Sequence, residues 1–260
     1  MAALLAVALP PLPEIQPGDD LASLIADSWR AAATDDPDLA PRGTDVLVVT
    51  QKVVSKAEGC LVDLRTITPR PDAVDFAAKW DRDARQVEVV LRESVEVLRM
   101  ERGIIVSRTR HGFVCANAGV DASNTGAKDI VTLLPEDPDA SAARLRARLP
   151  ALLGIEDADA PAIVISDSFG RPWRFGIVDV ALGVAGIAPL VDMRGQPDAD
   201  GRTMRSTVVA VADQIASAAE LAAGKTSGQP VVLVRGAPGV GGSGTVRSDV
   251  VMPVEMDLFR

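Results

Sequence analysis

Apolar and polar positions along the chain switch between two rhythms, and each switch marks an element. A compact apolar run at 4–9 predicts a first β-strand. Pro17-Gly18-Asp19-Asp20 supplies a turn and a capping acid, so a helix is expected from Leu21 to about Ala33. The polar, proline-containing stretch 34–43 reads as a loop, and the β-branched run 46–54 as a buried strand with 59–64 as its hairpin partner. Between 71 and 100, Val74, Ala77, Ala78, Ala84, Val87, Leu91, Val95 and Leu98 recur at near-helical spacing, which predicts one long helix or two short ones. β-formers return over 103–120, in two segments around Arg110-His111-Gly112, and again at 130–134. A helix is expected over 138–153, with Asp139 or Ser141 near its start, and a strand at 162–165 that runs directly into polar residues. Residues 178–190 are small, apolar and glycine-rich; 208–223 reads as a helix stopped by Gly224; 231–234 is the last clear strand. The glycine-rich stretch 236–245 is expected either to be poorly ordered or to pack as a late extension. No fixed repeat period is visible, and the rhythm is not that of a doubly wound sheet. An α+β architecture with mixed or antiparallel sheets follows.

Composition narrows the function. The 260 residues, 47% hydrophobic and 24% charged, suit one large domain or two small ones with a sizeable core. A net charge of −9 without a Lys/Arg stripe argues against nucleic acid as a partner. Cys60 and Cys115 fit no metal-ligand spacing; free thiols in a reducing cytoplasm are expected, with a single bridge as the alternative. His111 is the sole histidine, which removes any site needing two imidazoles. The N-terminal apolar run lacks a positive leader and is broken by Pro10 and Pro11, so it reads as a strand and not as a signal peptide. No apolar run approaches the ~20 residues that span a bilayer, so a cytoplasmic protein away from membranes is expected.

Three motifs imitate chemistry without its context. Gly239 to Gly244 satisfies G-x-G-x-x-G, but no β-α-β unit follows. Gly224-Lys225-Thr226 resembles the end of a Walker A loop, yet Ala219 stands where its first glycine belongs and the order of helix and strand is reversed. Ser166-Asp167-Ser168 lacks the flanking glycines of a nucleophile elbow, and nothing beyond His111 supports a serine triad.

Two clusters survive. Asp121 closes the segment Gly119-Val120-Asp121-Ala122-Ser123-Asn124, which offers a carboxylate, a hydroxyl and an amide in one loop. That set suits a hard cation beside a phosphate or sugar; an Asx-turn is the plainer reading. Asp167 stands where the apolar strand 162–165 gives way to polar residues, ahead of Arg171 and Arg174. Two guanidiniums beside an acid suggest anionic substrate groups next to a metal, a surface ion pair being the alternative. Two strand-end aspartates in a histidine-poor chain point to Mg²⁺ or Mn²⁺ in phosphoryl transfer. Lys52 and Lys56 follow the strand 46–49 and could reach phosphates, although lysines there can equally be solvated.

Longer blocks carry a family likeness. Leu12-Pro13-Glu14-Ile15 with Pro17-Gly18-Asp19-Asp20, the run from Val48 through Gln51-Lys52 and Ser55-Lys56 to Gly59, and the run from Arg110 to Asp121 all resemble the coenzyme F420-0:gamma-glutamyl ligases. Leu134 to Ser141, Ile165 to Arg174 and Val234-Arg235-Gly236 extend the likeness over nearly the whole chain. The resemblance implies a two-domain α+β fold and an intertwined homodimer, with residues 1–245 forming the ligase region and 246–260 a C-terminal tail. The C-terminal flavin reductase domain carried by some relatives is not expected.

The same resemblance implies a site and a reaction. Leu12, Pro13, Glu14, Ile15, Gln51, Lys52, Lys56 and Asn124 would contact GTP, and the loop 224–230, with Gly224 and Lys225, would close over it. Asp121 and Asp167 would hold one divalent cation and Ser168 would help hold a second, giving two Mg²⁺ or Mn²⁺ per site, with a monovalent cation such as K⁺ as a further candidate. Arg171 and Arg174 would hold the phosphate or carboxylates of the substrate. The γ-phosphate of GTP would pass to the terminal carboxylate of F420-0, and L-glutamate would then displace it to form an amide. Gln51 stands where relatives often carry a hydroxyl residue, Ser168 replaces a commoner threonine, and Lys225 stays outside the expected metal set. A non-catalytic nucleotide- or deazaflavin-binding paralogue and a metal-dependent phosphohydrolase are the competing readings.

Overall fold

A computed structural model describes residues 3–123 and 127–258. In chain order the first half contains β1 (Leu5–Ala8), α1 (Leu21–Asp35), β2 (Asp45–Thr50), α2 (Gln51–Ala57), β3 (Leu61–Asp63), α3 (Pro71–Trp80), α4 (Ala84–Glu93), β4 (Ser94–Glu101), β5 (Ile104–Thr109), β6 (Val114–Ala116) and β7 (Ile130–Thr132). The second contains α5 (Pro138–Leu153), β8 (Ala162–Arg171), β9 (Arg174–Ala185), β10 (Val191–Asp192), β11 (Val208–Val209), α6 (Val211–Ala223) and β12 (Val231–Arg235).

A five-stranded sheet in the order β1-β12-β2-β8-β9 organises the molecule. Its β2–β8 pair is parallel and its other pairs are antiparallel, so the sheet is mixed, as α+β architecture anticipates. Side chains alternate faces along a strand, and both faces of this sheet are covered, which is why β2 reads as an unbroken apolar run. Leu47, Val49, Ile163, Ile165 and Leu233 point to one side and pack with Ile25 and Trp29 of α1 and Leu145 and Leu149 of α5. Val46, Val48, Val164, Val232 and Val234 point to the other and pack with Val211, Ile215 and Ala219 of α6. A third cluster, including Phe76, Val87, Val90, Ile105 and Val131, holds α3 and α4 to β5 and β7.

Local chemistry explains most element ends. Asp20 caps α1, accepting from the Ser23 N–H, and Gly224 ends α6 at φ 70°. The cap of α5 is Asp137, which accepts from the Ala140 N–H at 3.0 Å, and Asp139 and Ser141 lie in the helix's first turns as expected. Asp139 fastens neighbours: its Oδ1 accepts from the backbone N–H groups of Val184 at 2.8 Å and Val246 at 2.9 Å. The glycine-rich stretch packs, because Gly241 donates to the Gly186 carbonyl at 2.9 Å and Val246 is buried beyond it.

Four sequence readings are corrected. The strand expected over 46–54 stops at Thr50 and the chain turns into α2, where Gln51, Val54 and Ser55 are buried at helical spacing. Residues 59–64 do not pair with it; β3 pairs with β7. The expected helical span 71–100 ends at Glu93, after which β4 pairs with β5. Finally, β8 continues to Arg171, so Asp167 and Ser168 sit within a strand and not beyond its end.

One glycine permits a close approach that fixes α5 on the sheet. A Cβ on Gly183 would meet the Pro138 carbonyl carbon at 2.2 Å and the Asp139 amide nitrogen at 2.5 Å, both backbone atoms. Gly183→Ala is expected to cost about 1–3 kcal/mol of stability by overpacking, read as a lower midpoint in urea denaturation.

Candidate functional site

Where β2, β8 and β12 meet the start of α2 and the end of α6, the molecule opens into a cleft of about 1120 Å³. Leu12, Pro13, Glu14 and Ile15 form one wall; Gln51, Lys52 and Lys56 approach from α2; Asp121 and Ser123 come from the segment before β7. Ser166, Asp167 and Ser168 rise from β8, and Gly224 and Lys225, with the residues up to Pro230, form a loop over the opposite side. Candidates scattered over more than two hundred positions thus share one cavity. Asn124 lies outside the described residues. Arg171 and Arg174 do not line the cleft; they pair at the tip of the β8–β9 hairpin, where the Arg171 guanidinium donates to the Phe175 carbonyl at 2.8 Å.

The charges are arranged in two groups. Lys52 Nζ lies 2.6 Å from Asp121 Oδ2 and donates to Ser123 Oγ at 2.6 Å. Burial alone would raise the Asp121 carboxyl, but the Lys52 ammonium and the Ser123 donors outweigh it and hold it below the usual range. Asp167 has no such partner among the described residues. Burial pushes its carboxyl up to about 7, the nearby negative charges of Asp179 and Asp121 add to the rise, and the Ser168 backbone N–H offsets part of it. Asp121 and Asp167 line the same cleft, and the Asp121 charge reaches Asp167. Lys56 is held by Glu14 at 2.5 Å. Gln51 is buried and its Oε1 accepts from Ser55 Oγ at 2.7 Å, so its amide oxygen is committed inward.

Sequence reasoning missed two acids of the second group. Asp179 faces Ser168 across the β8–β9 pair and accepts from Ser168 Oγ at 2.6 Å and Ser166 Oγ at 3.2 Å. Lys225 Nζ sits 3.0 Å from Asp179 and 2.5 Å from Glu220, and hydrogen-bonds Ser168 Oγ. The available signal was a lone acid between Val178 and Val180 in an otherwise apolar strand, and an acid one turn before a helix-ending glycine. His111 plays no part: its ring bonds the Pro135 carbonyl through Nε2 at 2.9 Å, away from the cleft, which disposes of a serine triad. Cys60 and Cys115 are free thiols.

The donor set decides whether divalent cations fit. Asp121 and Asp167 supply hard oxygen atoms to one cleft, and Asp167, half-buried, makes no ion pair among the described residues. Among the described residues no three His, Cys, Asp or Glu side chains gather closely enough to hold an ion by themselves. The first ion fits. A second one at Ser168 would meet the Lys225 ammonium already bonded there.

Comparison with known proteins identifies the family. Among proteins of similar sequence is the coenzyme F420:L-glutamate ligase of Methanothermobacter thermautotrophicus, 42% identical over 255 residues, covering 96% of each chain. The protein of the same name from Methanopyrus kandleri is 43% identical, covering 91% of this chain and 89% of its own. That of Methanocaldococcus jannaschii is 40% identical over 83% of this chain and 84% of its own. The profile described as F420-0:Gamma-glutamyl ligase matches residues 11–236, a span that holds every described residue lining the cleft. The chain belongs to the F420-0:Gamma-glutamyl ligase family.

Proposed function

We propose that the chain is a GTP-dependent ligase that joins L-glutamate to coenzyme F420-0 through an acyl phosphate. The observation that carries this reading is the convergence of Leu12 to Ile15, Lys52, Lys56, Asp121, Asp167 and the loop 224–230 on a single cleft, in a chain of this family. The cleft is large enough for a nucleotide, and among the described residues no histidine or cysteine lines it, which suits chemistry between two bound substrates.

Lys52 and Lys56 would bind the triphosphate, and their present partners Asp121 and Glu14 keep both ammonium groups aimed along the cleft wall. Asp121 and Asp167 would hold a divalent cation, which would supply positive charge against the transferring phosphate. In the first step an oxygen of the terminal carboxylate of F420-0 bonds to the γ-phosphorus, and the bond to the β-phosphate oxygen breaks to release GDP. In the second, the glutamate amine attacks the activated carbonyl, loses a proton and expels phosphate, leaving an amide. Repetition on the new γ-carboxylate would lengthen a γ-linked tail. Closure of the loop 224–230 over the cleft would protect the acyl phosphate from hydrolysis. The third cluster, with α3, α4 and the β4-β5-β6 sheet, is read as a second unit, and the exposed Trp173, Phe175 and Ile177 on the β8–β9 hairpin as part of a homodimer contact. Among the described residues no helix is long and apolar enough to cross a membrane.

Incubation with GTP, Mn²⁺ and F420-0, with and without glutamate, tests the proposal by mass spectrometry. Glutamate-dependent mass gain supports a ligase; GTP loss alone would reassign the site to a phosphohydrolase, and no turnover to a binding protein. Lys52→Met is expected to raise KM for GTP by about 10- to 100-fold, the worth of one hydrogen bond to a charged group. An unchanged KM would remove Lys52 from the phosphate contacts.

A further inference from the structure

Ser168 is approached by a cation that the chain itself supplies. Its Oγ donates to Asp179 Oδ1 at 2.6 Å and is bonded in turn by Lys225 Nζ. The same ammonium pairs with Asp179 at 3.0 Å and with Glu220 at 2.5 Å. A hydroxyl and two carboxylates around one point make the oxygen-rich nest that a hard metal ion takes, and here a positive nitrogen fills it. The delivery is built into the fold. Glu220 lies in the last turn of α6, Gly224 ends the helix at φ 70°, and Lys225 follows at once, so its side chain folds back over the helix end toward β8 and β9. Asp179 is fixed from both sides, since its backbone N–H donates to Glu220 and its carbonyl accepts from Ser217 Oγ at 2.8 Å. The ammonium is thus tethered beside Ser168 by the chain itself.

We propose that the Lys225 ammonium stands in for the second divalent cation beside Ser168, so that the site takes up a single exchangeable metal ion, at Asp121 and Asp167. This inference rests on the proposed function, because it assumes that the cleft is a nucleotide-and-metal site. A tethered monovalent charge would hold the far side of the triphosphate, and the requirement for free metal would fall to one ion per chain.

Counting bound Mn²⁺ tests it without reference to turnover. The protein, saturated with the β,γ-imido analogue of GTP, is titrated with Mn²⁺ while the free ion is followed by electron paramagnetic resonance. One Mn²⁺ per chain is expected for the parent, two for Lys225→Gln, and still one for Ser168→Ala. Two ions in the parent, one in Lys225→Gln, or a loss of the ion in Ser168→Ala would each overturn the inference while leaving the first metal site standing. No bound Mn²⁺ in the parent would overturn the metal site itself, and the inference with it. Lys225 is half-exposed on a loop, so the Gln variant should fold, and a thermal melt within a few degrees of the parent checks that it has.

Discussion

Exchanging Asp167 for Asn should cut glutamate-dependent turnover by roughly a thousandfold and, at the same time, make the metal-free protein harder to melt at about pH 8. The two effects have one cause. Asp167 is held in the wall of the cleft with its carboxyl pushed up to about 7, chiefly by burial and then by its acidic neighbours. In the unfolded chain the same group titrates near ~3.9. The folded state thus binds the proton more tightly, so the charged group opposes folding above about pH 7. That penalty shrinks as the pH falls through 7 and is gone below about 4, where both states are protonated. Asn carries no charge at any pH. Its advantage in EDTA is therefore expected in full near pH 8 and should vanish near pH 4, with about 2–4 °C in Tm for each kcal/mol. Adding Mn²⁺ and nucleotide should reverse the order, because only the parent gains stability from binding the ion. Equal melting of parent and variant at pH 8 would mean that Asp167 is not the uncompensated charge described here, and near-normal turnover would remove it from the metal site.

What the sequence disclosed, and what it withheld, follows from the range of the interactions involved. The large sheet was visible because β2, β8 and β12 are buried on both faces, and continuous apolar runs record that directly. The end of β2 was not, because Val53 and Val54 are β-formers whose helical conformation is set by the burial of Gln51, Val54 and Ser55 against the sheet. The end of α4 failed similarly: Val95 and Leu98 continue the helical spacing by coincidence, while β4 pairs with β5 around them and leaves both exposed at its two register shifts. In the site, Asp121 and Asp167 were legible as acids beside apolar strands. Asp179 was hidden because its role comes from register, since Ser168 lies opposite it only once β8 and β9 pair. Arg171 and Arg174 looked like substrate ligands next to Asp167 in sequence, yet a strand rises about 3.3 Å per residue and carries them out along the hairpin, beyond the cleft.

The likeness block Val234-Arg235-Gly236 contains no cleft residue, and its arginine is expected to matter for folding instead. Asp45, the first residue of β2, is fully buried, and Arg235 on β12 faces it in register. The guanidinium donates from Nε to Oδ1 at 2.7 Å and from Nη2 to Oδ2 at 2.8 Å, a bidentate pair, and also bonds the carbonyls of Asp38 and Ala40. Arg235→Met would leave Asp45 with one donor, the Arg42 N–H at 2.9 Å, and a buried charge with no countercharge. Breaking such a pair from one side costs about 3–5 kcal/mol, a large share of the ~5–15 kcal/mol that holds a domain together. Removing both partners is far milder, because no charge is then stranded, so Asp45→Val combined with Arg235→Met should recover most of the loss. Urea denaturation would show a lower midpoint at unchanged slope for the single variant and a return toward the parent for the double one. The pair sits at the opposite end of β2 from Thr50, which lines the cleft, so KM for GTP should stay put in whatever fraction remains folded. A single variant as stable as the parent would show that the pair contributes nothing net. A double variant no better than the single would place the loss in the arginine's bonds to Asp38 and Ala40.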